Sequence, residues 1–461
     1  MSERPLPHII ILTLDALRRD STSLYEPSLR TTPFLAGLEE ECVVFDDAIS
    51  ASCWTLPSHS SLFTGLYPSF HGATKRHWRL TKDRPTLAQL LSRAGYQTAG
   101  FTGGPYLHWA FGVDRGFEHY ANCLERRPGR FGLRLRSLWP SLGGRRKPIQ
   151  AELLQRARTK VTAKDLNAEF AAWLDRGYDD RRPLFAFINY FDPHRPWLAR
   201  NNEFTPQYCK DYETYGSRLL QVLHKEIPLD PEATDYLVQL YRNEILYLDN
   251  HLSELFRLLK DRGLYDDSVV IILSDHGEML GEHNLWDHIM LYEPVVRIPM
   301  LMKLPNSHLG GKRIPQLVQN VDVMPTLLSM IGIPSPGEVQ GETLAELIND
   351  DVRLARAYAL SEFYPDAKTA DTYGSRFRGE FIAYIEGAWK YIYNSSAPDE
   401  LYDRDNDPFE ENNLIDSALV PSSVRDGLLA RLRGNVNWEL AARDVEIDQD
   451  LLNRLEGLGY V

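Results

Sequence analysis

Three short apolar runs in this 461-residue chain each stop at residues able to do chemistry. His8 to Leu14 stops at Asp15, Pro183 to Phe191 at Asp192-Pro193-His194, and Ser268 to Leu273 at Ser274-Asp275-His276. Carboxylates and imidazoles are the working groups of acid–base and metal chemistry. Thr55, in Thr55-Leu56-Pro57-Ser58-His59, adds a hydroxyl at what reads as the start of a helix. Two readings of it stand side by side. A hydroxyl there gains from the free N–H groups and partial positive charge of the helix end, which favour an alkoxide and an anionic ester. Alternatively Thr55 is an N-cap with Pro57 in the first turn.

Continuous Ile-, Val- and Leu-rich runs read as strands buried on both faces of a parallel sheet. Open α/β sheets bind their ligands beyond the carboxyl ends of such strands, so the three run ends mark one shared site. Helical patterns separate the strands. Leu87, Leu90 and Leu91 share a face within Thr86 to Ala94, and Leu166, Phe170, Trp173 and Leu174 do so within Lys164 to Arg176. From Pro231 to Lys260, Leu237, Leu240, Tyr241, Ile245, Leu248, Leu252, Leu255 and Leu259 recur at three- and four-residue steps. This alternation predicts an α/β fold around a mostly parallel sheet. Beyond about residue 360 the pattern changes to short strands (Phe381 to Ile385, Trp389 to Tyr393), a turn-rich stretch from Asp403 to Asn413 and a polar helical tail. We therefore divide the chain into a catalytic α/β domain over 1–360 and a small C-terminal α+β subdomain with a short antiparallel sheet over 361–461.

Composition narrows the function classes. With 43% hydrophobic and 25% charged residues the chain is expected to fold as a globular protein, and its net charge of −13 argues against a nucleic-acid binder. No apolar run is long enough for a transmembrane segment, and the N-terminus does not read as a secretory signal. Cys42, Cys53, Cys123 and Cys209 lack metal-type spacing and read as reduced thiols of a cytoplasmic protein. An insertion at about 124–160 is basic, with Arg126, Arg127, Arg130, Arg134, Arg136, Arg145, Arg146 and Lys147 interleaved with Phe131, Leu133, Leu135, Leu138 and Trp139. It is either a solvated surface insertion or an amphipathic lid making peripheral membrane or polymer contact through 126–147. A homo-oligomer stays among the open readings.

The segment from Thr55 through Thr64-Gly65-Leu66-Tyr67-Pro68 resembles the sulfatase signature of the alkaline phosphatase superfamily. In that signature Cys or Ser, any residue, Pro, any residue and Arg precede a helix ending in Thr-Gly-x-Tyr-Pro. Asp275-His276-Gly277-Glu278 with Gly281-Glu282-His283 and Trp286-Asp287-His288 resembles the second half of the same site. Leu14-Asp15-Ala16-Leu17-Arg18 resembles the first acidic motif, and Val321 to Leu327 and Leu401 to Pro408 are similar to further family segments. The resemblance runs from about residue 8 to about 415, in the family's order. It implies a three-layer α/β/α fold. It also implies one divalent ion on Asp15, Asp275, His276 and Thr55 Oγ, with Thr55 the nucleophile, His59 at the Arg position in contact with substrate, and His194 and His288 catalytic. His283 is carried as a substrate-binding candidate, with a supporting or helix-capping role as the alternative. Two carboxylates and an imidazole favour Mn²⁺, with Zn²⁺, Mg²⁺ and Ca²⁺ as alternatives.

The chain departs from the family pattern at four points. Sulfatases of the common type convert the motif Cys or Ser to formylglycine, whereas Thr55 would give a ketone on oxidation, and the accompanying Arg is His59. The usual Gly-Lys-Trp-His segment is Thr102-Gly103-Gly104-Pro105, without Lys, and the second Asp of the first motif is Ala16. The remaining set resembles the threonine-nucleophile branches, namely phosphonate monoester hydrolases and the lipoteichoic acid synthase and phosphoethanolamine transferase domains. The resemblance therefore implies a hydrolase or transferase acting on phosphodiesters, phosphonate monoesters or phosphoryl groups through a covalent Thr55 intermediate. Its substrate is an anionic ester, lipid- or glycan-linked in some readings. The alternatives are a sulfuric ester hydrolase using Thr55 directly, and a catalytically inactive binding protein of the same fold.

Overall fold

Eight strands form the main sheet of the computed structural model, which describes residues 6–122, 160–197, 231–349 and 356–441. In chain order they are β1 (His8–Leu14), β2 (Val43–Ile49), β3 (Gln97–Thr102), β4 (His119–Asn122), β5 (Leu184–Tyr190), β6 (Ser268–Leu273), β9 (Arg297–Lys303) and β10 (Arg313–Gln319). A two-stranded ribbon, β7 (Met279–Leu280) and β8 (Trp286–Asp287), lies between β6 and β9 in sequence. The spatial order is β10-β2-β9-β6-β1-β5-β3-β4. Pairing is parallel throughout except at β9, which runs antiparallel to both β2 and β6. A reversed strand needs no crossover helix, which is why the helix-and-strand alternation of the sequence gives no sign of it.

The apolar runs are continuous because both faces of the sheet are covered. Ile9, Ile11, Phe185, Phe187, Val269 and Ile271 enter one core, and Ile10, Leu12, Ala186, Ile188, Val270 and Ile272 enter the other. On the first face lie the helices Thr55–Thr64, Leu87–Arg93 and Val323–Met330; on the second lie Ala163–Arg176 and Pro231–Asp261. The expected α/β/α layering and mostly parallel sheet are therefore present. Two of these helices carry the capping box in which a Thr and the residue three positions on satisfy each other's end groups, Thr86 with Gln89 and Thr162 with Asp165.

A second, antiparallel sheet follows: β11 (Ala359–Phe363), β12 (Phe381–Glu386), β13 (Trp389–Asn394) and β14 (Glu400–Asp403), in that order. Strand alternation sends Phe381, Ala383 and Ile385 into the core of the first face, and Ile382 and Tyr384 toward the helix Ser422–Asn435. Among the described residues no helix is long and apolar enough to cross a membrane. Cys42 and Cys53 are buried free thiols. The basic stretch 126–147 lies outside the described residues.

Candidate active site

Register brings the first two acids together. β1 and β6 are parallel neighbours with Thr13 opposite Leu273, so Asp15 and Asp275 emerge at the same level two residues further on. The backbone at Ala16 takes a left-handed turn (φ 60°), and its N–H donates to Asp275 Oδ1 at 3.1 Å. Asp15 Oδ2 accepts from Asn189 Nδ2 at 3.3 Å, from the end of β5. The other two oxygens, Asp15 Oδ1 and Asp275 Oδ2, are buried without a hydrogen-bond partner. His276 Nε2 stands 3.9 and 3.5 Å from these two oxygens. Its Nδ1–H donates to the Gly277 carbonyl at 2.8 Å, which fixes the tautomer and turns the Nε2 lone pair toward the carboxylates.

A divalent ion fits this arrangement. Ligand atoms each about 2 Å from an ion lie roughly 3 to 4 Å from one another, and the Asp15, Asp275 and His276 atoms all fall within 4.8 Å. Electrostatics agree. Burial, and then the neighbouring Asp275 charge, push the Asp15 carboxyl well above the ordinary range, and burial depresses His276 to about 4. Unpaired charge is costly here, and a cation between the acids removes that cost.

The helix Thr55–Thr64 supplies the hydroxyl. Trp54 occupies the N-cap position and Thr55 is the first helical residue, so the Thr55 side chain does not cap. Its Oγ1 stands 3.3 Å from His276 Nε2. The helix start is tied to the end of β6 through the Asp275 carbonyl, which accepts from Ser58 Oγ at 2.7 Å and from Ser50 Oγ at 2.5 Å. The hydroxyl and the metal-type cluster are thereby held in one rigid unit.

Two further histidines close on this centre. His288 stacks on His276 with ring centroids 4.3 Å apart, and His194 lies 5.1 Å from His288 and 6.5 Å from His276. His194 donates from Nδ1 to the Arg195 carbonyl at 2.8 Å and stacks on Phe191 at 4.3 Å. Burial first, then the neighbouring His288, holds it well below its ordinary range. The loop carrying His194 wraps the buried ammonium of Lys160, which donates to the carbonyls of Asp192, His194 and Pro196 at 2.6, 2.8 and 3.0 Å.

Two expected substrate contacts are placed elsewhere. His59 is fully buried beneath the centre, donating from Nδ1 to the Thr55 carbonyl at 2.8 Å while Thr13 Oγ1 lies 3.0 Å from Nε2. Both ring nitrogens are engaged, and Nδ1 stands 3.6 Å from Asp275 Oδ2, so the imidazole supports the Thr55–Thr64 helix and Asp275 from below. His283 stacks on Tyr292 at 4.0 Å and lies 3.3 Å from the Phe409 carbonyl. These contacts are with the ribbon surroundings and the C-terminal region. Gly104, next to Gly103 where the family pattern has Lys, lies against the centre: a Cβ there would meet Asn189 Oδ1 at 3.2 Å and Asp15 Oδ2 at 3.5 Å.

The structure adds residues that the sequence reading did not single out. Asn189 bridges Asp15 and Thr13, and its only sequence signal is its place at the end of an apolar run. Glu278 and Asp287 lie within the quoted motif beside His288, with Nδ1 of that ring 3.5 Å from Glu278 and 3.1 Å from Asp287. Arg195 pairs with Asp287 at 2.8 Å, and Tyr373, from the helix Ala367–Tyr373, donates to Asp287 Oδ2 at 2.5 Å. No sequence signal pointed to Tyr373, whose approach to Asp287 exists only in the fold.

Known proteins resemble this chain in sequence and fold. A family model described as Sulfatase matches residues 7–333, and one described as N-sulphoglucosamine sulphohydrolase, C-terminal, matches residues 281–435. Choline-sulfatase of Rhizobium meliloti is 26% identical over 482 residues, covering 97% of this chain and 90% of the relative. The multifunctional alkaline phosphatase superfamily protein PehA of Trinickia caryophylli is 23% identical, covering 91% of each. Among solved structures, the phosphonate monoester hydrolase of Agrobacterium radiobacter superposes with a TM-score of 0.71 at 20% identity, over 93% of this chain and 95% of that one.

Proposed function

Because the chain belongs to the sulfatase family, hydrolases acting on ester bonds, we propose that it cleaves or transfers phosphate-type esters through a covalent intermediate on Thr55. The observation that carries this reading is a hydroxyl that cannot become a formylglycine aldehyde, standing 3.3 Å from His276 Nε2 at the rim of the acid cluster. The substrate class is an anionic phosphodiester, phosphonate monoester or phosphoryl donor. Asp15, Asp275, His276 and Thr55 would hold one divalent ion, with Mn²⁺ favoured by two carboxylates, a hydroxyl and an imidazole. Such an ion supplies Lewis-acid stabilisation of the charge that develops on oxygen during displacement.

The chain's own groups perform the rest. Thr55 gives its hydroxyl proton to a neutral histidine, and its oxygen bonds to phosphorus as the bond to the leaving oxygen breaks. The helix N-terminus, with Trp54 offering no side-chain cap, presents free N–H groups where the anionic ester forms. The leaving oxygen takes a proton from a histidine. His288 is the better-placed donor, whereas His194 is held neutral by burial with Nδ1–H already committed to the Arg195 carbonyl, and so is suited to accept one. Water, or an acceptor alcohol in a transfer reaction, then attacks phosphorus and gives its proton to the histidine that protonated the leaving oxygen, while the bond from phosphorus to Thr55 breaks and the Thr55 oxygen takes back its proton from the histidine that accepted it.

Mass spectrometry of protein quenched during turnover tests this: a gain of phosphate on the peptide bearing Thr55 is expected. A sulfate adduct at Thr55 would instead support the second reading, a sulfuric ester hydrolase, which the choline-sulfatase relative motivates. Rates on matched aryl sulfate, aryl phosphate and aryl phosphodiester substrates separate the two. Protein that takes up no divalent ion and modifies no ester would be the inactive binding module.

A further inference from the structure

We propose that Glu278, Asp287 and His288 form a second divalent-cation site beside the first. The three come from one stretch of chain, in the turn after β6 and at the end of the ribbon, and each offers a ligand atom within 4.8 Å of the others. Glu278 is wholly buried, yet neither carboxylate oxygen has a hydrogen-bond partner. His288 is 7% exposed, and its Nδ1, which faces the two acids, is likewise without a hydrogen bond. A buried carboxylate with two unbonded oxygens and a buried imidazole nitrogen turned toward it are what a missing ion leaves behind.

The neighbouring guanidinium does not fill that role. Arg195 binds Asp287 through a terminal nitrogen at 2.8 Å, but its Nε stands 3.7 Å from Glu278 and makes no hydrogen bond. Tyr373 and the His288 backbone N–H complete the contacts of Asp287 at 2.5 and 2.9 Å, and nothing comparable reaches Glu278. Charge points the same way. Four carboxylates gather across both clusters, with Arg195 in contact and Lys160 and Lys75 acting on Asp15 and Asp287 from further off, and the family's Lys position is Gly103. Lys75, at the rim over the Trp54 ring, is 4.0 Å from its own acid, Asp366. A second ion would offset further negative charge facing an anionic ester. An ion on Nδ1 also fixes the remaining proton of His288 on Nε2, leaving that ring a hydrogen-bond donor.

This site goes beyond the Thr55 reading, and metal stoichiometry tests it without any substrate. The full chain is stripped with a chelator and dialysed to equilibrium against Mn²⁺. Two ions per chain are expected for the wild type, one for Glu278→Gln, and one for Asp275→Asn, whose remaining ion sits at the Glu278 site. Mn²⁺ electron paramagnetic resonance gives a reading that depends on no variant's folding: at full loading each ion is expected to broaden the other's signal. A wild-type stoichiometry of one, an unbroadened six-line spectrum, or two ions retained in folded Glu278→Gln overturns the proposal. A wild type that binds one ion and a folded Asp275→Asn variant that binds none would do so while leaving the first cluster's role standing.

Discussion

The two carboxylate–histidine clusters have similar donors and differ in what holds them. Asp15, Asp275 and His276 sit at the ends of adjacent parallel strands, so ladder register sets their spacing and the Ser50 and Ser58 hydroxyls lock the nucleophile helix to it. Glu278, Asp287 and His288 lie beyond the sheet, and their surroundings are assembled from far along the chain: Arg195 from the loop after β5, Tyr373 from a helix between β11 and β12. Strand ends give a site built into the core, whereas loops and ion pairs give one adjustable by single substitutions far away in sequence.

Substitutions can break that contrast at graded strengths. Thr55→Ala should lower turnover by about 10³-fold or more while Mn²⁺ uptake and the unfolding transition stay close to wild type, since the hydroxyl is the group bonded to substrate. An active Thr55→Ala enzyme would mean that water attacks directly. His288→Gln should cost about 10²-fold in kcat for substrates with poor leaving groups and much less for activated aryl esters, the pattern of lost general-acid assistance. Equal losses on both would assign the ring to binding. Tyr373→Phe removes one hydrogen bond to Asp287, worth about 1 kcal/mol or up to roughly tenfold in kcat/KM, and should leave ion binding by Asp275 untouched.

An effect on stability alone lies outside both clusters. His71 is fully buried and hydrogen bonds Ser61 Oγ on the nucleophile helix at 3.0 Å; burial depresses it to about 3. Its folded value lies below its unfolded one, so the unfolded chain takes up the proton first. Stability should fall as pH drops through the unfolded value near 6.5 and keep falling toward 3, by up to about 1.4 kcal/mol per pH unit from this residue. Urea unfolding at pH 7 and pH 5 should show a smaller loss in His71→Gln than in wild type. An identical loss would place the acid sensitivity in the histidines of the clusters.

Much of the first cluster was legible because its determinants are local. The β1 and β6 runs end at the very residues that converge, and the long amphipathic pattern from Pro231 is a single helix, Pro231–Asp261. Thr55 was legible only as a choice between cap and nucleophile, and Trp54 taking the N-cap position removes the capping role. Two expectations fared less well. His59 follows the nucleophile by one helical turn, a spacing that lets its Nδ1 reach back to the Thr55 carbonyl, so it points into the core. His283 sits in a left-handed turn (φ 52°) that carries its ring onto Tyr292. The approach of Arg195 and Tyr373 to Asp287 spans 92 and 86 residues of chain, and no local pattern encodes pairings of that range.

The buried ammonium of Lys160 has a last consequence. Three carbonyls of the turn bearing His194 close on one cation that has no route to solvent, so the turn is shaped when the chain folds and arriving ester finds it already set. The entropy of ordering that turn is settled on folding and does not recur when a ligand arrives.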